Sequence, residues 1–541
     1  MRPALKVFGW SAAVSALLLA AILARRAGVS DPHDLRIFDY LVLFQDVYAF
    51  PLYLGILLLA LLAPLRRAGS ELAAWIGEHP LAAAAAASVA LAAGAVLVYR
   101  AHPLSMDEYA AVFQSRIFAA GHLTGRVPPG LLDWLIPSGV QGKFLKTDAH
   151  TGAIAATYWP GFALLLAPFA LLGVPWLLNP LIGGATLLAM HRLGVALFGE
   201  QRDAGLVVLA TLASPAFSVN AMSYYAMPAH LLANALYALL LLRPTPARAF
   251  GAGVLGSYAL VLHSPVPHLL FAPPWIAWLA LRPETRRAAA LLLAGYLPLC
   301  AALGFGWPML LDRLASATTQ GAVAAGPLAA LLGKVHMAMS WARDPGLAMR
   351  LFGFAKLWLW AVPGLVVLAV LGVWRLRRER GIWTVICASG ALSYLGYMLI
   401  PFDQGHGWGY RYFHQAWLVL PLLAVAALRA VPQPSLSSYL AAASALSLAL
   451  LTPFDALQVR AFISRDLAQV PPAAARVGVV ILNPLYGYYT WDLAQNDPFL
   501  RNRPVVLISR GAEADRGMMA REFPGYGLIA ADPRASQWGP R

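Results

Sequence analysis

Apolar stretches of about 16–24 residues recur along this chain between short polar turns, and a run near 20 is what a bilayer's hydrocarbon core demands of a helix. The pattern predicts roughly 13 transmembrane helices, near 7–24, 43–64, 80–99, 177–198, 204–220, 228–242, 250–263, 268–281, 288–311, 356–374, 382–400, 413–430 and 438–453. A further apolar piece, "YWPGFALLLAPFALLG" over 158–173, has a Pro160 break at its start. Leaving it as a juxtamembrane or re-entrant helix puts the loops of Arg202, Arg243/Arg248, Arg282/Arg286/Arg287 and Arg375/Arg377/Arg378/Arg380 on the cytoplasmic side. Counting it as a span would place all of them outside, against the positive-inside rule.

The pattern changes near residue 455. "RVGVVIL", "RPVVLIS" and "YGLIAAD" alternate as short strands, and "YYTWDLAQN" reads as a helix between the first two. The expected organisation is therefore N-terminal transmembrane helices over 1–99 and a first large extracytoplasmic loop with juxtamembrane helices over 100–176. A transmembrane bundle follows over 177–454, then a small extracytoplasmic α/β domain over 455–541. On this topology the loop 312–355, the turn "PFDQGHGWGYRYFHQ" and the turns "SYYAMPAH" and "HSPVPH" share the outer face with the first large loop.

Composition supports a multi-pass membrane protein: 60% of the 541 residues are hydrophobic and only 12% are charged. The 40 prolines and 45 glycines would break soluble helices, whereas a membrane bundle satisfies the freed backbone groups through its neighbours. The net charge of +15 lies mostly in short loops between apolar runs, which is what topology requires, and argues against a nucleic-acid partner. Cys300 and Cys387 both sit in apolar runs and offer neither a disulfide framework nor a metal site. The basic, apolar N-terminus lacks a small-residue cleavage site before Arg25 and reads as a retained first span.

The residues capable of chemistry collect on the outer side. In "LSMDEYAAVFQSRIFAAG", Ser105 followed by Glu108 is a capping-box pattern, and Tyr109, Val112, Phe113 and Ile117 form an apolar stripe suited to a helix lying flat at the interface. Capping alone would explain both acids: Glu108 returns to the cap and Asp107 answers the positive helix end. The competing reading is a carboxylate presented at headgroup depth. Lys143 and Lys146 of "GKFLKTDAH", with Asp148 and His150 beside them, could hold a lipid phosphate or anchor to anionic lipids. In "FDQGHGWGYRY", Asp403, His406, Arg411 and Tyr412 crowd one glycine-rich turn, where Arg411 suits a phosphate and Trp408 or Tyr410 a sugar face. An interfacial aromatic belt with a snorkelling arginine is the alternative there.

These segments, in this order, resemble the GT-C glycosyltransferases: the protein O-mannosyltransferases, the aminoarabinose transferases of lipid A and the RgtA/B/C/D-like sugar transferases. The similarity covers about residues 100–425. It rests on "DEYAAVFQSRIFAAGHL", "YWPGFALLLAPFALLG", "RLGVALFGEQRDAGLVVLATLASPAF" and "GHGWGYRYFHQAWLVLPLLA". The resemblance implies a GT-C fold and sugar transfer from a polyprenyl-phosphate donor to a glycan, lipid or protein acceptor outside the cytoplasm, in the cell membrane. Inversion would follow, with Asp107 as general base and Glu108 beside it. Many relatives carry Lys or His where this chain has Tyr158, so phosphate binding would fall to Lys143, Lys146 or Arg411, with Tyr158, Tyr412 and His406 completing a donor site. "SYYAMPAH" places Tyr224, Tyr225 and His230 where some relatives have an acid, which argues against a metal ligand; no cofactor is expected. His150, His263, Asp403 and Trp408 are further candidates to line the cavity. A transporter or lipid flippase, or an inactive scaffold of the same fold, is the alternative. The former should carry ionisable groups at the bilayer midplane, where most of these spans show Ala and Leu.

Overall fold

The computed structural model describes residues 2–136, 142–316, 346–379, 381–400, 403–430, 434–487 and 489–541. Most of the expected outer loop 312–355 lies outside these residues. The molecule is mainly helical, and among the described residues six helices are long and apolar enough to cross a membrane: Arg2–Ala27, Ile37–Leu59, Pro80–Leu97, Pro175–Phe198, Pro283–Leu314 and Ser435–Leu467. Five shorter apolar helices accompany them among the described residues: Gly161–Leu171, Met227–Leu241, Leu365–Leu376, Ile382–Tyr397 and Val419–Ala430. The chain is an integral membrane protein.

Thirteen uninterrupted spans are not what forms. The stretch 204–220 breaks at Ser214 into Gln201–Leu212 and Pro215–Asn220, and 356–374 breaks at Gly364, whose φ of 85° only glycine adopts without strain. The two breaks satisfy one another. The Ala216 N–H, freed at the first break, donates to the Trp360 carbonyl at the second at 3.0 Å. A helix not expected from the pattern, Ala63–Glu78, packs on Gln201–Leu212 and Pro434–Leu446. Glycine makes this close approach possible: a Cβ at Gly69 would stand 2.6 Å from the Ala441 backbone, and one at Gly205 1.9 Å from the Ala73 carbonyl oxygen.

The segment 158–173 forms the helix Gly161–Leu171, whose 11 residues extend only about 16 Å, roughly half a hydrocarbon core. It packs along Met106–Ala119 and is tied at its head by Gly161 and Phe162 N–H bonds to the Val261 and Leu262 carbonyls.

The first large loop departs from expectation in two ways. Besides helix Met106–Ala119 it holds a small antiparallel sheet, β1 (Gly125–Arg126), β2 (Leu145–Thr147) and β3 (Ala153–Ala156), in the order β1-β3-β2. And Met106–Ala119 does not lie flat at an interface. It is buried on nearly every side, with Arg116 its exposed residue. The C-terminal segment covers it. There β4 (Val479–Leu482), β5 (Val505–Ile508), β6 (Tyr526–Ala531) and β7 (Ala535–Pro540) form a sheet in the order β5-β4-β7-β6, with β4 and β5 parallel and the rest antiparallel. Val479, Ile481 and Val505 share one hydrophobic cluster with Met106, Tyr109 and Phe113, so the apolar stripe meets protein rather than lipid. The expected helix over "YYTWDLAQN" is reduced to the 3-10 turn Thr490–Leu493.

Helix Leu178–Phe198 gives the scale of the bundle. Its first turn is held at Asn179, whose amide donates to the Ser223 and Tyr225 carbonyls at 2.8 Å each. Its last residue is held by Arg429, which donates to the Phe198 carbonyl at 2.7 Å and pairs with Asp203 at 2.8 Å. These 21 residues span about 30 Å, a bilayer's thickness, so the turn 223–225 and the basic loop around Arg202 lie at opposite ends.

Candidate active site

Ser105 takes the extended conformation of an N-cap, but its hydroxyl makes no capping bond and instead meets the Tyr225 hydroxyl at 3.1 Å. Glu108 does the capping. Its Oε2 accepts from the Leu104 N–H at 2.7 Å, and its Oε1 reaches across to the Tyr224 N–H at 2.8 Å. Glu108 is fully buried, and burial pushes its carboxyl up to about 7 against these backbone donors and the nearby Arg411. It fixes the helix head to the 223–225 turn, and its two oxygens are already occupied.

Asp107 is the freer acid, with a quarter of its side chain exposed. Tyr158 donates a short hydrogen bond to Oδ1, and Arg411 Nη2 donates to Oδ2 at 3.0 Å. Burial raises the Asp107 carboxyl, but Arg411, the Tyr158 hydroxyl and nearby His263 outweigh it and hold it below its ordinary value. Tyr158 in turn lies on the His263 ring, with centroids 3.8 Å apart, and its phenol is pushed well up by burial and the Asp107 charge.

Arg411 is delivered by the glycine-rich turn. Gly405, Gly407 and Gly409 all have positive φ (65°, 118° and 62°), which winds the chain so that the Gln404 and His406 carbonyls accept from Arg411 Nη1 at 2.8 and 2.7 Å. The guanidinium carbon stands 4.0 Å from the Tyr225 ring centroid. Arg411 Nε is buried with no hydrogen-bond partner among the described residues, leaving one donor of a charged group uncommitted there.

On the other side of Asp107 opens a cavity of about 360 Å³ lined by Ser105, Met106, Asp107, Lys143, Phe144, Gly405, His406, Tyr489, Trp491 and Asp492. His406 Nε2 lies 3.3 Å from Asp492 Oδ2. Burial opposes the imidazolium, yet Asp492 overcomes it and raises the His406 pKa. Asp492 Oδ1 accepts the Met106 N–H at 2.9 Å, so the C-terminal segment grips the helix that carries Asp107.

The structure thus gathers Asp107, Glu108, Tyr158, Tyr224, Tyr225, His263, Arg411, His406 and Lys143 around one centre. Other candidates lie elsewhere. Lys146, in β2, pairs with Asp312 at 3.3 Å. His150 is exposed in a turn whose carboxylate, Asp148, accepts its N–H at 2.9 Å. Trp408 is wholly buried, stacked on Trp360 and bonded to the Tyr99 hydroxyl at 2.6 Å, so its ring is closed to a sugar. Tyr412 stacks on Tyr397 and donates to the Asp403 carbonyl at 2.9 Å, while the Asp403 carboxylate faces Arg36 at 3.6 Å. His230 is buried in Met227–Leu241, with no partner at either ring nitrogen among the described residues. Asp492, Tyr489 and Trp491 were not anticipated. "YYTWD" is an aromatic cluster around one acid, and that was the only local signal.

No family model matches the sequence, and no curated protein matches it. Among solved structures the chain is similar to ArnT from Cupriavidus metallidurans in the apo state, at 13% identity over 84% of this chain and 98% of that one, with a TM-score of 0.48. It is similar also to ArnT from Cupriavidus metallidurans bound to undecaprenyl phosphate, at 13% identity over 83% of this chain and 97% of that one, with a TM-score of 0.34.

Proposed function

We propose that this chain is a membrane glycosyltransferase of the GT-C type that moves a sugar from a polyprenyl-phosphate donor to an acceptor hydroxyl at the extracytoplasmic face. The observation that carries the reading is the position of Asp107, between a buried arginine with an uncommitted N–H and an open polar cavity. A donor phosphate meets Arg411 through Nε and draws Nη2 from Asp107. That withdrawal removes the charge that depresses Asp107 and makes it a better base when the donor is in place. The acceptor oxygen then attacks the anomeric carbon from the face opposite the phosphate. The C–O bond to phosphate breaks, its electron pair leaves with the phosphate, and Asp107 takes the acceptor's proton. Configuration inverts. Arg411 neutralises the departing phosphate, so the reading calls for no metal.

The charge distribution supports the outer location. The turn 223–225, which holds Glu108, lies a bilayer's thickness from Arg202 and Arg429, and such basic loops favour the cytoplasmic side. A transporter would need mobile ionisable groups along its path. Among the described residues an ion pair within the bundle, Lys356 and Asp46, is closed on itself at 2.7 Å, with Trp360 donating to the same carboxylate at 3.1 Å and Asp455 buried beside it.

Binding of a polyprenyl phosphate to the purified protein tests the donor site. Arg411→Ala should weaken it by at least about tenfold, since a charge-assisted hydrogen bond contributes roughly 1.5–3 kcal/mol. Unchanged affinity in a folded variant would remove Arg411 from the donor site.

A further inference from the structure

We propose that the cavity beside Asp107 is the acceptor subsite and that it takes a neutral sugar ring, held between the Tyr489 and Trp491 side chains and the His406–Asp492 pair. The proposal rests on the reading of Asp107 as general base, and it names the class of molecule whose hydroxyl Asp107 deprotonates.

The position of the cavity separates it from the donor phosphate. Asp107 lines it, whereas Arg411 and Tyr158 approach the same carboxylate from outside the lining. The electrostatics then decide what it accepts. Two carboxylates, Asp107 and Asp492, face the space, with Lys143 at its exposed edge. An anionic phosphate would meet both acids, so the site disfavours it. An acyl chain would strip these charged groups of water and give nothing back. A polyol answers both constraints, because each hydroxyl can donate to a carboxylate and accept from an imidazolium.

His406 is the second, independent sign of a ligand. It is 6% exposed and lines the cavity, and while Nε2 faces Asp492 at 3.3 Å, the buried Nδ1 has no hydrogen-bond partner among the described residues. A buried imidazole with an unmet donor is costly unless something fills the place. The aromatic walls fit the same occupant. Tyr489 and Trp491 are half-buried and meet edge to face, with centroids 5.1 Å apart, and Tyr489 stands 5.0 Å from the His406 ring. An aromatic face is electronegative and complements the C–H face of a pyranose or furanose. A volume of about 360 Å³ is at the small end of ligand pockets, which suits one sugar ring rather than an extended glycan.

The test is direct binding to the full-length protein in lipid nanodiscs by saturation-transfer NMR. Its probes are a panel of methyl hexopyranosides and methyl pentosides, a short Ser/Thr peptide and, in a parallel arm, a polyprenyl phosphate. At least one glycoside should bind wild type. Trp491→Leu and His406→Gln should each weaken that binding at least tenfold, and Trp491→Leu, which leaves the His406–Asp492 pair in place, should do so with melting temperature and polyprenyl-phosphate binding preserved. Absence of any glycoside binding, binding unchanged in both variants, or binding of the peptide alone would each overturn the proposal. The phosphate arm separates the two readings: its loss in wild type speaks against the donor site, and failure of the glycoside arm with phosphate binding intact speaks against the acceptor subsite alone.

Discussion

Asp107 accepts from Tyr158 and Arg411 while its remaining edge faces the cavity, so a substitution there alters a counter-ion and, on the proposed reading, a base. Asp107→Glu separates the two roles. The charge beside Arg411 survives, but the carboxylate moves by one methylene, and turnover should fall by about 10²-fold with little change in melting temperature. Tyr158→Phe acts on basicity. The Asp107 carboxyl lies below its ordinary value in part through the Tyr158 hydroxyl, so the acid limb of the pH–rate profile should move upward in the variant. An unmoved limb would mean that another group sets it. Asp107 was legible from sequence because a helix start announces itself locally, through Ser105 and Glu108. Its partners were only partly legible. Arg411 stood out in a dense polar turn, but Asp492 binds the Met106 N–H across 386 positions, and no local pattern reports such a contact.

Helix Met106–Ala119 shows how far periodicity reaches. Its extent and apolar stripe were read correctly from 3.6-residue spacing, whereas its environment was not, because lipid and a β-sheet offer the same stripe an apolar partner. The broken spans share this cause. Hydropathy marks residues that avoid water and is silent on whether a run such as 204–220 is one helix or two pieces with mutually satisfied ends. Glu108 is the clearest test at this scale. Its folded pKa of about 7 exceeds the unfolded 4.5, so its contribution to stability is complete below 4.5 and is lost as pH rises towards 7. Glu108→Gln should flatten the melting-temperature profile across that window. Glu108→Ala leaves two buried N–H groups unmet and should cost about 2–6 kcal/mol, at 1–3 each. A pH profile identical in Gln and wild type would show that Glu108 does not titrate there.

Across the whole molecule, Lys356 and Asp46 join segments 310 positions apart, at 0% and 1% side-chain exposure. Breaking a buried pair from one side leaves a bare charge, so Lys356→Met should destabilise by about 3–5 kcal/mol, and adding Asp46→Asn should recover much of the loss. A single variant with wild-type melting temperature in detergent would contradict this. Orientation can be read by single-cysteine labelling after Cys300 and Cys387 are replaced. Positions 150 and 378 are both exposed and suit the method, whereas His406 is buried. Reagent outside the cell should reach 150 and spare 378; labelling of 378 from outside would invert the topology. The membrane-spanning character was legible from composition, since apolar runs separated by short basic loops are what a bilayer selects. The fit of the C-terminal segment over the candidate site was not, because it depends on contacts between distant parts of the chain.

The measurement closest to the central claim is the lipid-linked sugar that accumulates when the gene is deleted, followed by mass spectrometry and compared after restoring wild type or Asp107→Asn at matched, folded levels. Capping cannot tell the two apart, because Asn caps a helix as well as Asp. General-base loss can, since it removes about 10²–10⁴ of rate. The account predicts that wild type clears the intermediate and that Asp107→Asn leaves it at the level of the deletion. Clearance by Asp107→Asn at the wild-type rate would contradict it.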